Sequence, residues 1–384
     1  MNIYVTTQGA RIIREGRHLL VKKGEDTYHT LFVEKLKQVM LFGSITISPA
    51  ARAMLLKHQV DTIFFRKDGR YVGRYATPEP KNIMLRRRQF TLLDNPEFGL
   101  TFCRTVVLGK LTSMTSLLMR ISRTKKHKEP RTKAKQIRAL YPAIAQAKSV
   151  ESLRGYEGRG SAAYFGVLRW GLNDNFDFNR RVRRPPTDPV NAVLSLLYTF
   201  LFNRVYAAIR TANLDPYPAF LHVPDYGRFS LVMDLMEEFR VIVVDTLVLS
   251  LFNLKILQHD DFITEEPPPL SEENQAPTPD VTGDPFGLMS GINAGELFDV
   301  PPQRMADTVV EHELEAGRGK WPVKLKPSAF GRVIENFERK LTTEFHYLPE
   351  DRKITYNEAL TAQAGQYRKL VEGATATYEP LTLR

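Results

Sequence analysis

The chain has 384 residues, of which 43% are hydrophobic, so it can bury a large core and is long enough for two domains. The sequence lacks an uninterrupted apolar run as long as a membrane span, and its N-terminal segment lacks the apolar stretch of a signal peptide, so we expect no membrane partner. The single cysteine, Cys103, excludes an internal disulfide and fits a reducing cytoplasm, where we expect the protein to act.

The net charge of +11 is unevenly distributed along the chain. Eleven Lys or Arg and one acid lie between Arg104 and Arg138, whereas ten acids and no Lys or Arg lie between Leu257 and Gln303. Further basic clusters are Arg86, Arg87, Arg88, Arg180, Arg181, Arg183 and Arg184. Clustered positive charge favours binding of a polyanion through release of counterions. The alternative is a solvated basic face without a function.

The first 80 residues predict a compact β domain with one helix. Strand-like runs cover Ile3–Thr6 and Leu19–Val21. Two further runs, Ile63–Arg66 and Tyr71–Tyr75, flank an Asp-Gly turn, which predicts a hairpin. Ser48 as N-cap, followed by proline, predicts a short helix that ends at Lys57. We therefore place an N-terminal β-rich domain at residues 1–80.

Prolines 78 and 80 mark the end of that domain, and we predict a linker over residues 81–101. Residues 102–384 predict a larger, all-α C-terminal domain. Its amphipathic segments before the acidic stretch are Phe102–Ser122, Lys135–Ala147, Glu151–Trp170, Pro189–Asn213 and Leu231–Leu257. The fourth helix has a clear start, because Asp188 is a good N-cap and Pro189 follows it.

The acidic stretch and the C-terminus are predicted to lack regular structure. Residues 258–303 are rich in proline and acids and predict a flexible acidic loop. This loop is either a mobile flap that gates the basic surface or a tolerated insertion, and we favour the insertion. Helical patterns resume at Ser328–Phe345 and Tyr356–Val371, and the tail from Gly373 is expected to fray.

A histidine and several acids lie close together between Phe220 and Phe239. His222 is in a loop segment, and Asp234 and Glu237 follow on a helix, three residues apart and off its apolar stripe. Imidazole and carboxylate groups are ligands for a divalent cation. The alternative is a surface histidine beside acids that favour the dipole of the helix N-terminus, and spacing alone favours that reading.

Another carboxylate lies among small residues in the segment LRGYEGRGSAAYFGVL, residues 153–168. So many glycines and alanines around Glu157 predict a close approach to its backbone, by another helix or by a nucleic-acid backbone. The segment is not a dinucleotide fingerprint, since no strand precedes it and an acid occupies the position where phosphate would bind.

Four sequence blocks together resemble the CRISPR-associated spacer-acquisition integrases. They are the Glu157-Gly158 block with Tyr164-Phe165, the run RRPPTDPVNAVLSLLYTFL, the block LDPYPAFLH that ends at His222, and DLMEEFRVIVVDTLVLSL from Asp234. They follow one another within Lys135–Leu254. The resemblance implies an α+β multidomain fold, with a small N-terminal β-sandwich-like domain followed by a larger all-α domain. It also implies a homodimer that assembles with a small ferredoxin-like partner protein and inserts short DNA into the CRISPR array.

The resemblance implies a metal site of Glu157, His222 and Glu237 holding Mn²⁺ or Mg²⁺, with Asp234 as a nearby supporting acid. Catalysis would then be attack of a DNA 3′-hydroxyl on a phosphodiester, with hydrolysis as a companion activity. His222 could instead protonate the leaving oxygen as a general acid, and we prefer the role of ligand. Two other functions stay open: a non-catalytic architectural DNA-binding subunit, and a metal-dependent nuclease that does not integrate.

Several basic residues are candidates for phosphate contacts that hold DNA without reading its sequence. They are Arg123, Lys125, Lys126, Lys128, Arg131, Arg181, Arg183 and Arg184. Asp245 lies in an apolar run, so we expect it to be buried and paired with an arginine. Tyr164 and Tyr198 lie at helical spacing in apolar runs and are expected in the core.

Overall fold

The computed structural model describes residues 1–75, 82–183, 185–264 and 321–383. The N-terminal region contains β1 (Asn2–Val5), β2 (Arg11–Glu15), β3 (His18–Lys23), β4 (Asp26–Phe32), β5 (Gln38–Phe42), β6 (Thr46–Ile47), α1 (Pro49–Lys57), β7 (Asp61–Phe65) and β8 (Tyr71–Arg74). The helix predicted to start after Ser48 is confirmed, since the Ser48 side chain accepts a hydrogen bond from the amide of Ala51. The hairpin predicted around the Asp-Gly turn is confirmed as the antiparallel pair β7–β8.

The N-terminal strands form two four-stranded sheets. One has the order β1-β5-β7-β8, with β1, β5 and β7 parallel, and the other has the order β4-β3-β2-β6. All five residues of β5 are buried. Because side chains alternate across a strand, Val39 and Leu41 enter one core with the second sheet and α1, while Met40 and Phe42 enter the core of the helical region. The first sheet is therefore covered on both faces.

The helical region begins earlier than predicted and is not all helical. It contains α2 (Ile83–Leu93), α3 (Pro96–Lys125), α4 (Lys128–Arg138), α5 (Tyr141–Ala145), α6 (Val150–Leu168), α7 (Pro189–Thr211), α8 (Ser230–Phe239), a π-helix (Arg240–Asp245), α9 (Thr246–Asn253), β9 (Phe262–Thr264), β10 (Val323–Leu325), α10 (Pro327–Leu341), β11 (Glu344–Tyr347), β12 (Arg352–Thr355) and α11 (Tyr356–Glu372). The pairs β9–β10 and β11–β12 correct the expectation of an all-α domain.

The predicted linker, residues 81–101, is largely structured. Its described residues form α2 and the first turns of α3, with Asn82 capping α2. The two regions are also joined by an aromatic contact, because Phe42 of β5 lies 5.2 Å from Phe330 of α10, between ring centroids. Of the predicted acidic loop at 258–303, residues 265–303 lie outside the described residues.

Helix α7 is long and apolar enough to cross a membrane by composition, but its side chains are largely buried inside the protein. It starts where predicted, with the Asp188 side chain accepting a hydrogen bond from the amide of Asn191. Buried residues on several of its faces, including Leu194, Leu197 and Phe200, belong to the main hydrophobic core. Helix α7 is therefore the central helix of the core, which is why it is hydrophobic nearly all round.

The small residues of α6 serve close helix packing at one position and leave open space at others. A Cβ atom on Gly160 would overlap the side chain of Leu111 on α3, whereas a Cβ on Gly155 or Gly158 would meet nothing within 4 Å. Gly160 therefore brings α6 against α3, which confirms the helix-packing alternative at that position.

We expect Gly160→Ala to lower the free energy of unfolding by about 1–3 kcal/mol, because the buried Leu111 side chain must be displaced. The matched change Gly158→Ala, two residues away on the same helix, should instead raise it by up to about 1 kcal/mol through helix propensity. Chemical denaturation of both variants measures the difference. Equal effects of the two changes would contradict the assignment of Gly160 as the contact point.

The C-terminal tail is ordered against the helices, so the expectation that it frays from Gly373 was wrong. Tyr378 and Leu381 are buried, and the amide of Leu383 donates to Ser113 Oγ of α3 at 3.1 Å. The tail is held chiefly by Glu238 of α8, whose carboxylate accepts from Tyr378 Oη at 2.5 Å and from the amide of Leu381 at 2.6 Å. These partners are distant in sequence, which is why a local pattern did not reveal them.

Candidate metal centre

Glu157 projects from α6 toward α3. Its Oε1 accepts a hydrogen bond from Ser161 Oγ at 2.6 Å, one helical turn away on the same face. The same oxygen lies 2.5 Å from Lys110 Nζ of α3, and the side chain of Glu157 remains 23% exposed. Glu157 thus lies at the edge of the core, where one side of its carboxylate is open.

His222 is fixed in its loop by Asp234, which is fully buried in the middle of α8. The Asp234 carboxylate accepts from the backbone amides of Phe220, Leu221 and His222 at 2.9–3.0 Å. It also lies 2.7 Å from His222 Nδ1. Because an ionised carboxylate only accepts, Nδ1 carries a proton, and in the neutral imidazole the lone pair is then on Nε2. Asp234 therefore orients the imidazole, and its supporting role in a metal site stays a prediction.

Glu237 lies one turn after Asp234 and faces His222. Its Oε1 is 3.7 Å from His222 Nε2 and 3.2 Å from Arg240 Nε, and its Oε2 is 2.6 Å from Lys110 Nζ. The carboxylates of Glu157 and Glu237 therefore share one ammonium group. Glu157, His222 and Glu237, which are spread over about 80 residues of the sequence, meet in one cluster. The structure does bring the predicted ligands together.

The side chains of the cluster are of the types that bind a divalent cation, but the Lys110 ammonium lies between two of them. Two carboxylates and an imidazole with a free Nε2 are ligands that Mn²⁺ accepts. Glu237 Oε2 is buried, and the Lys110 ammonium lies 2.6 Å from it, at a position where a bound cation would lie. However, in the described part of the chain no group of three or more His, Cys, Asp or Glu residues is arranged so that it could hold a metal ion. Instead, the Lys110 ammonium lies between the two carboxylates.

The positive and negative groups of the cluster each stabilise the charged form of the other. Burial raises the pKa of Glu157, but the Lys110 ammonium and the Ser161 hydroxyl outweigh burial, so its pKa is lowered. For Glu237, burial is outweighed by Arg240 and Lys110, which lower the pKa to about 2. Burial lowers the pKa of Lys110, but the two glutamates outweigh it and raise the pKa. Both carboxylates are therefore ionised at neutral pH and ready to bind a cation.

The sequence analysis missed Lys110, Ser161 and Arg240 as members of the site. A signal for Lys110 was present, since it follows Val106 and Val107 and precedes Met114 on the buried face of α3. A lone lysine in an apolar stripe requires a buried acid as its partner. The contact of Arg240 with Glu237 depends on the turn at which α8 passes into the π-helix.

Asp245 ends the π-helix and is buried, as expected, but its hydrogen-bond partners are two tyrosines and not an arginine. Tyr164 Oη donates at 2.7 Å and Tyr198 Oη at 2.6 Å. Burial raises the pKa of Asp245 to about 6 despite these hydrogen bonds. The Arg240 guanidinium lies 4.9 Å from the Tyr198 ring centre, so the tyrosine also supports the arginine that contacts Glu237.

The residues proposed to contact DNA do not share one environment. A cavity of about 430 Å³ lies where α3 meets α4. It is lined by four of the proposed residues, Arg123, Lys126, Lys128 and Arg131, and by Met119, Ser122 and His127. Lys125 pairs with Asn173. Arg183 is exposed, and Arg184 lies outside the described residues.

Arg181 does not have the exposure expected of a phosphate contact. It is buried, and its guanidinium donates to Asn191 Oδ1 at 2.9 Å, to the Val182 carbonyl at 2.9 Å and to Ser195 Oγ at 3.0 Å. In this conformation Arg181 fixes the segment before α7 and does not present its charge to solvent. The DNA contact predicted for Arg181 is therefore contradicted by its burial.

The fold is shared with several solved structures. A Cas6-RT-Cas1–Cas2 complex covers 99% of this chain at a TM-score of 0.75 and 20% identity, with 36% of the matched chain covered. A casposase bound to integration product covers 98% of this chain and 92% of that one, at a TM-score of 0.74 and 17% identity. A CAS1 protein from Thermotoga maritima gives a TM-score of 0.72 at 18% identity, with 97% of each chain covered. At these identities, the likeness defines the fold.

Sequence comparison defines the family. A CRISPR-associated endonuclease Cas1 of Thermus thermophilus is 37% identical over 265 residues, covering 67% of this chain and 77% of the relative. A second, from Rhodospirillum rubrum, is 34% identical over 276 residues, covering 68% and 78%. The family model described as CRISPR associated protein Cas1 matches residues 3–273. The chain belongs to the Cas1 family.

Proposed function

We propose that this protein is a metal-dependent DNA integrase and endonuclease that inserts short DNA into a CRISPR array. The observation that carries the proposal is the convergence of Glu157, His222 and Glu237 in one cluster, in a chain of the Cas1 family. In the reaction, a DNA 3′-hydroxyl attacks a phosphodiester, one phosphorus–oxygen bond forms and another breaks, and the leaving oxygen takes up a proton. With water in place of the hydroxyl, the same site hydrolyses DNA.

Glu157, His222 and Glu237 would hold the cation, and Mn²⁺ or Mg²⁺ would polarise the phosphate oxygens when bound. The imidazole favours Mn²⁺ relative to Mg²⁺, which prefers oxygen ligands. Asp234 holds the proton on His222 Nδ1 and so keeps Nε2 available, either as a ligand or, once protonated, as a donor to the leaving oxygen. Arg240, beside Glu237, adds positive charge where the phosphate would approach.

We further propose that the protein works in the cytoplasm as a homodimer bound to a small ferredoxin-like partner and to DNA. Two solved structures with this fold support the protein partner and the DNA: one is a Cas6-RT-Cas1–Cas2 complex, and the other is a casposase bound to integration product. The net charge of +11 favours a polyanionic substrate, since each neutralised phosphate releases counterions.

The test combines the protein, its small partner, Mn²⁺, a short DNA duplex and a supercoiled plasmid that carries a CRISPR repeat. We expect products in which the duplex is joined to the plasmid. Nicked plasmid without joined product would instead identify a nuclease that does not integrate. If the protein binds both DNAs and neither joins nor nicks, the chain is an architectural subunit.

The basic cavity at the α3–α4 corner should contribute affinity without sequence specificity. The double change Lys128→Ala and Arg131→Ala should weaken binding of unrelated duplexes to a similar degree and lower the slope of log affinity against log salt by about 2, because two phosphate contacts are lost. Fluorescence anisotropy at several salt concentrations measures both quantities. The matched control removes two exposed charges far from the cavity, at Lys353 and Lys369, and should leave the slope unchanged.

A further inference from the structure

Lys110 lies between two of the proposed cation ligands, although its own positive charge repels a cation. Its side chain is 8% exposed, and its ammonium contacts Glu157 Oε1 at 2.5 Å and Glu237 Oε2 at 2.6 Å. An ammonium group that is removed from water requires such partners, because burying an unpaired charge is very unfavourable. Lys110 therefore satisfies the two carboxylates when no cation is bound.

The charge balance of the cluster also indicates that Lys110 takes the place of a cation. The ionised Glu157 and Glu237 are already matched by two positive groups, Lys110 and Arg240. Adding a divalent cation while both positive groups stay in place would leave an excess positive charge in a largely buried site. Arg240 is held over the Tyr198 ring and is less able to leave. The lysine, in contrast, carries its charge on a flexible four-carbon chain.

We propose that Lys110 is an internal counter-ion that competes with the divalent cation for Glu157 and Glu237, so that metal binding requires its ammonium to move away from these oxygens. The inference rests on the proposed metal-dependent function and adds a regulatory property to the same site. The competition keeps the affinity for metal moderate in the free protein. DNA phosphate, which adds negative charge, would favour metal binding and leave a new partner for the displaced ammonium.

The test is the affinity of the DNA-free protein for Mn²⁺, measured by the loss of the electron paramagnetic resonance signal of free Mn²⁺. Lys110→Met keeps much of the side-chain volume and removes the charge, and should bind Mn²⁺ about 10- to 100-fold more tightly than the unchanged protein. Lys110→Arg keeps the charge and should not gain affinity. Lys369→Met, which removes an exposed lysine on α11, controls for the change in net charge and should leave the affinity unchanged.

Melting temperature provides a second readout that does not depend on activity. Without metal, Lys110→Met leaves two carboxylates facing each other and should melt at a lower temperature, and Mn²⁺ should raise its melting temperature by more than it raises that of the unchanged protein. If Lys110→Met folds too poorly to measure, the double variant with Lys110→Met and Glu157→Gln is compared with Glu157→Gln alone. The neutral glutamine removes the repulsion between the two side chains at 157 and 237. The double variant should bind Mn²⁺ more tightly than Glu157→Gln alone.

The possible failures can be told apart. Equal or weaker Mn²⁺ binding by Lys110→Met, with clear binding by the unchanged protein, overturns the competition and leaves the proposed metal centre intact. Absence of Mn²⁺ binding in every variant, with and without DNA, overturns the metal centre itself and the competition with it.

Discussion

Glu157→Gln should reduce strand joining by at least about 10³-fold while the protein still binds DNA. Glutamine keeps the shape of the side chain and its contact with Ser161, but it removes the negative charge that would hold the cation. DNA affinity should persist or rise slightly, because a group that repels phosphate has been neutralised. Joining measured with labelled duplex and affinity measured by anisotropy separate the two effects. Glu237→Gln should behave in the same way.

The control for this change lies on the same helix. Glu151 is 77% exposed and pairs with Arg154 one turn along α6, so Glu151→Gln should leave joining unchanged. Melting temperatures of both variants show whether a loss of joining reflects unfolding. Joining that survives Glu157→Gln in a folded protein would refute the catalytic assignment of Glu157. Parallel loss of joining and DNA binding would indicate that Glu157 supports the DNA-binding surface and not the chemistry.

The sequence predicts those parts of the fold that depend on neighbouring residues. Ser48 and Asp188 cap the helices that follow them, and the Asp-Gly turn forms its hairpin, because each signal and its effect lie within a few residues. The helical nature of residues 82–101 was missed, since prolines nearby indicated a linker while the Asn82 and Asn95 caps were overlooked. The extra strand pairs after α9 are short and carry little periodicity.

At the candidate site, the sequence predicts the proposed ligands but not the residues that contact them. Resemblance to the family located Glu157, His222 and Glu237. No spacing rule connects these residues, because the packing of α6 and α8 on α3 brings them together. The partners of these residues were not predictable in this way. Lys110 faces the carboxylates only because Gly160 allows α3 and α6 to approach closely. Burial of Arg181, in turn, depends on Asn191, which is a neighbour in space at the start of α7.

The C-terminal tail offers the largest expected effect on stability. Glu238 is 2% exposed and accepts hydrogen bonds from Tyr378 Oη, from the Leu381 amide and from Gln363 Nε2 of α11 at 2.6 Å. Pro380 of the tail also lies where a Cβ atom on Gly109, next to Lys110, would need space. The tail therefore joins α3, α8 and α11 beside the candidate metal centre, although it lies beyond the segment that the family model matches.

Glu238→Ala should lower the free energy of unfolding by at least about 3 kcal/mol, because it leaves the buried Tyr378 hydroxyl and the Leu381 amide without their acceptor and removes one of the acceptors of Gln363 Nε2. Tyr378→Phe removes one hydrogen bond and keeps the ring, and should cost about 1 kcal/mol. Glu335→Ala is the control, since Glu335 is 67% exposed and pairs only with Arg339 on the surface of α10 in the described structure; it should change stability by less than about 1 kcal/mol. Urea denaturation gives all three values.

The same carboxyl group should make stability depend on pH. Burial raises the pKa of Glu238 to about 7, although its three hydrogen bonds oppose the shift. A carboxyl whose pKa is raised on folding stabilises the folded state below its ordinary pKa, and this contribution is lost as the pH rises toward the folded value. Relative to Glu238→Gln, which cannot ionise, the unchanged protein should therefore lose stability between about pH 4.5 and pH 7. A stability difference that does not vary over this interval would mean that Glu238 is already ionised at the acid end and that its three donors, rather than burial, decide its charge.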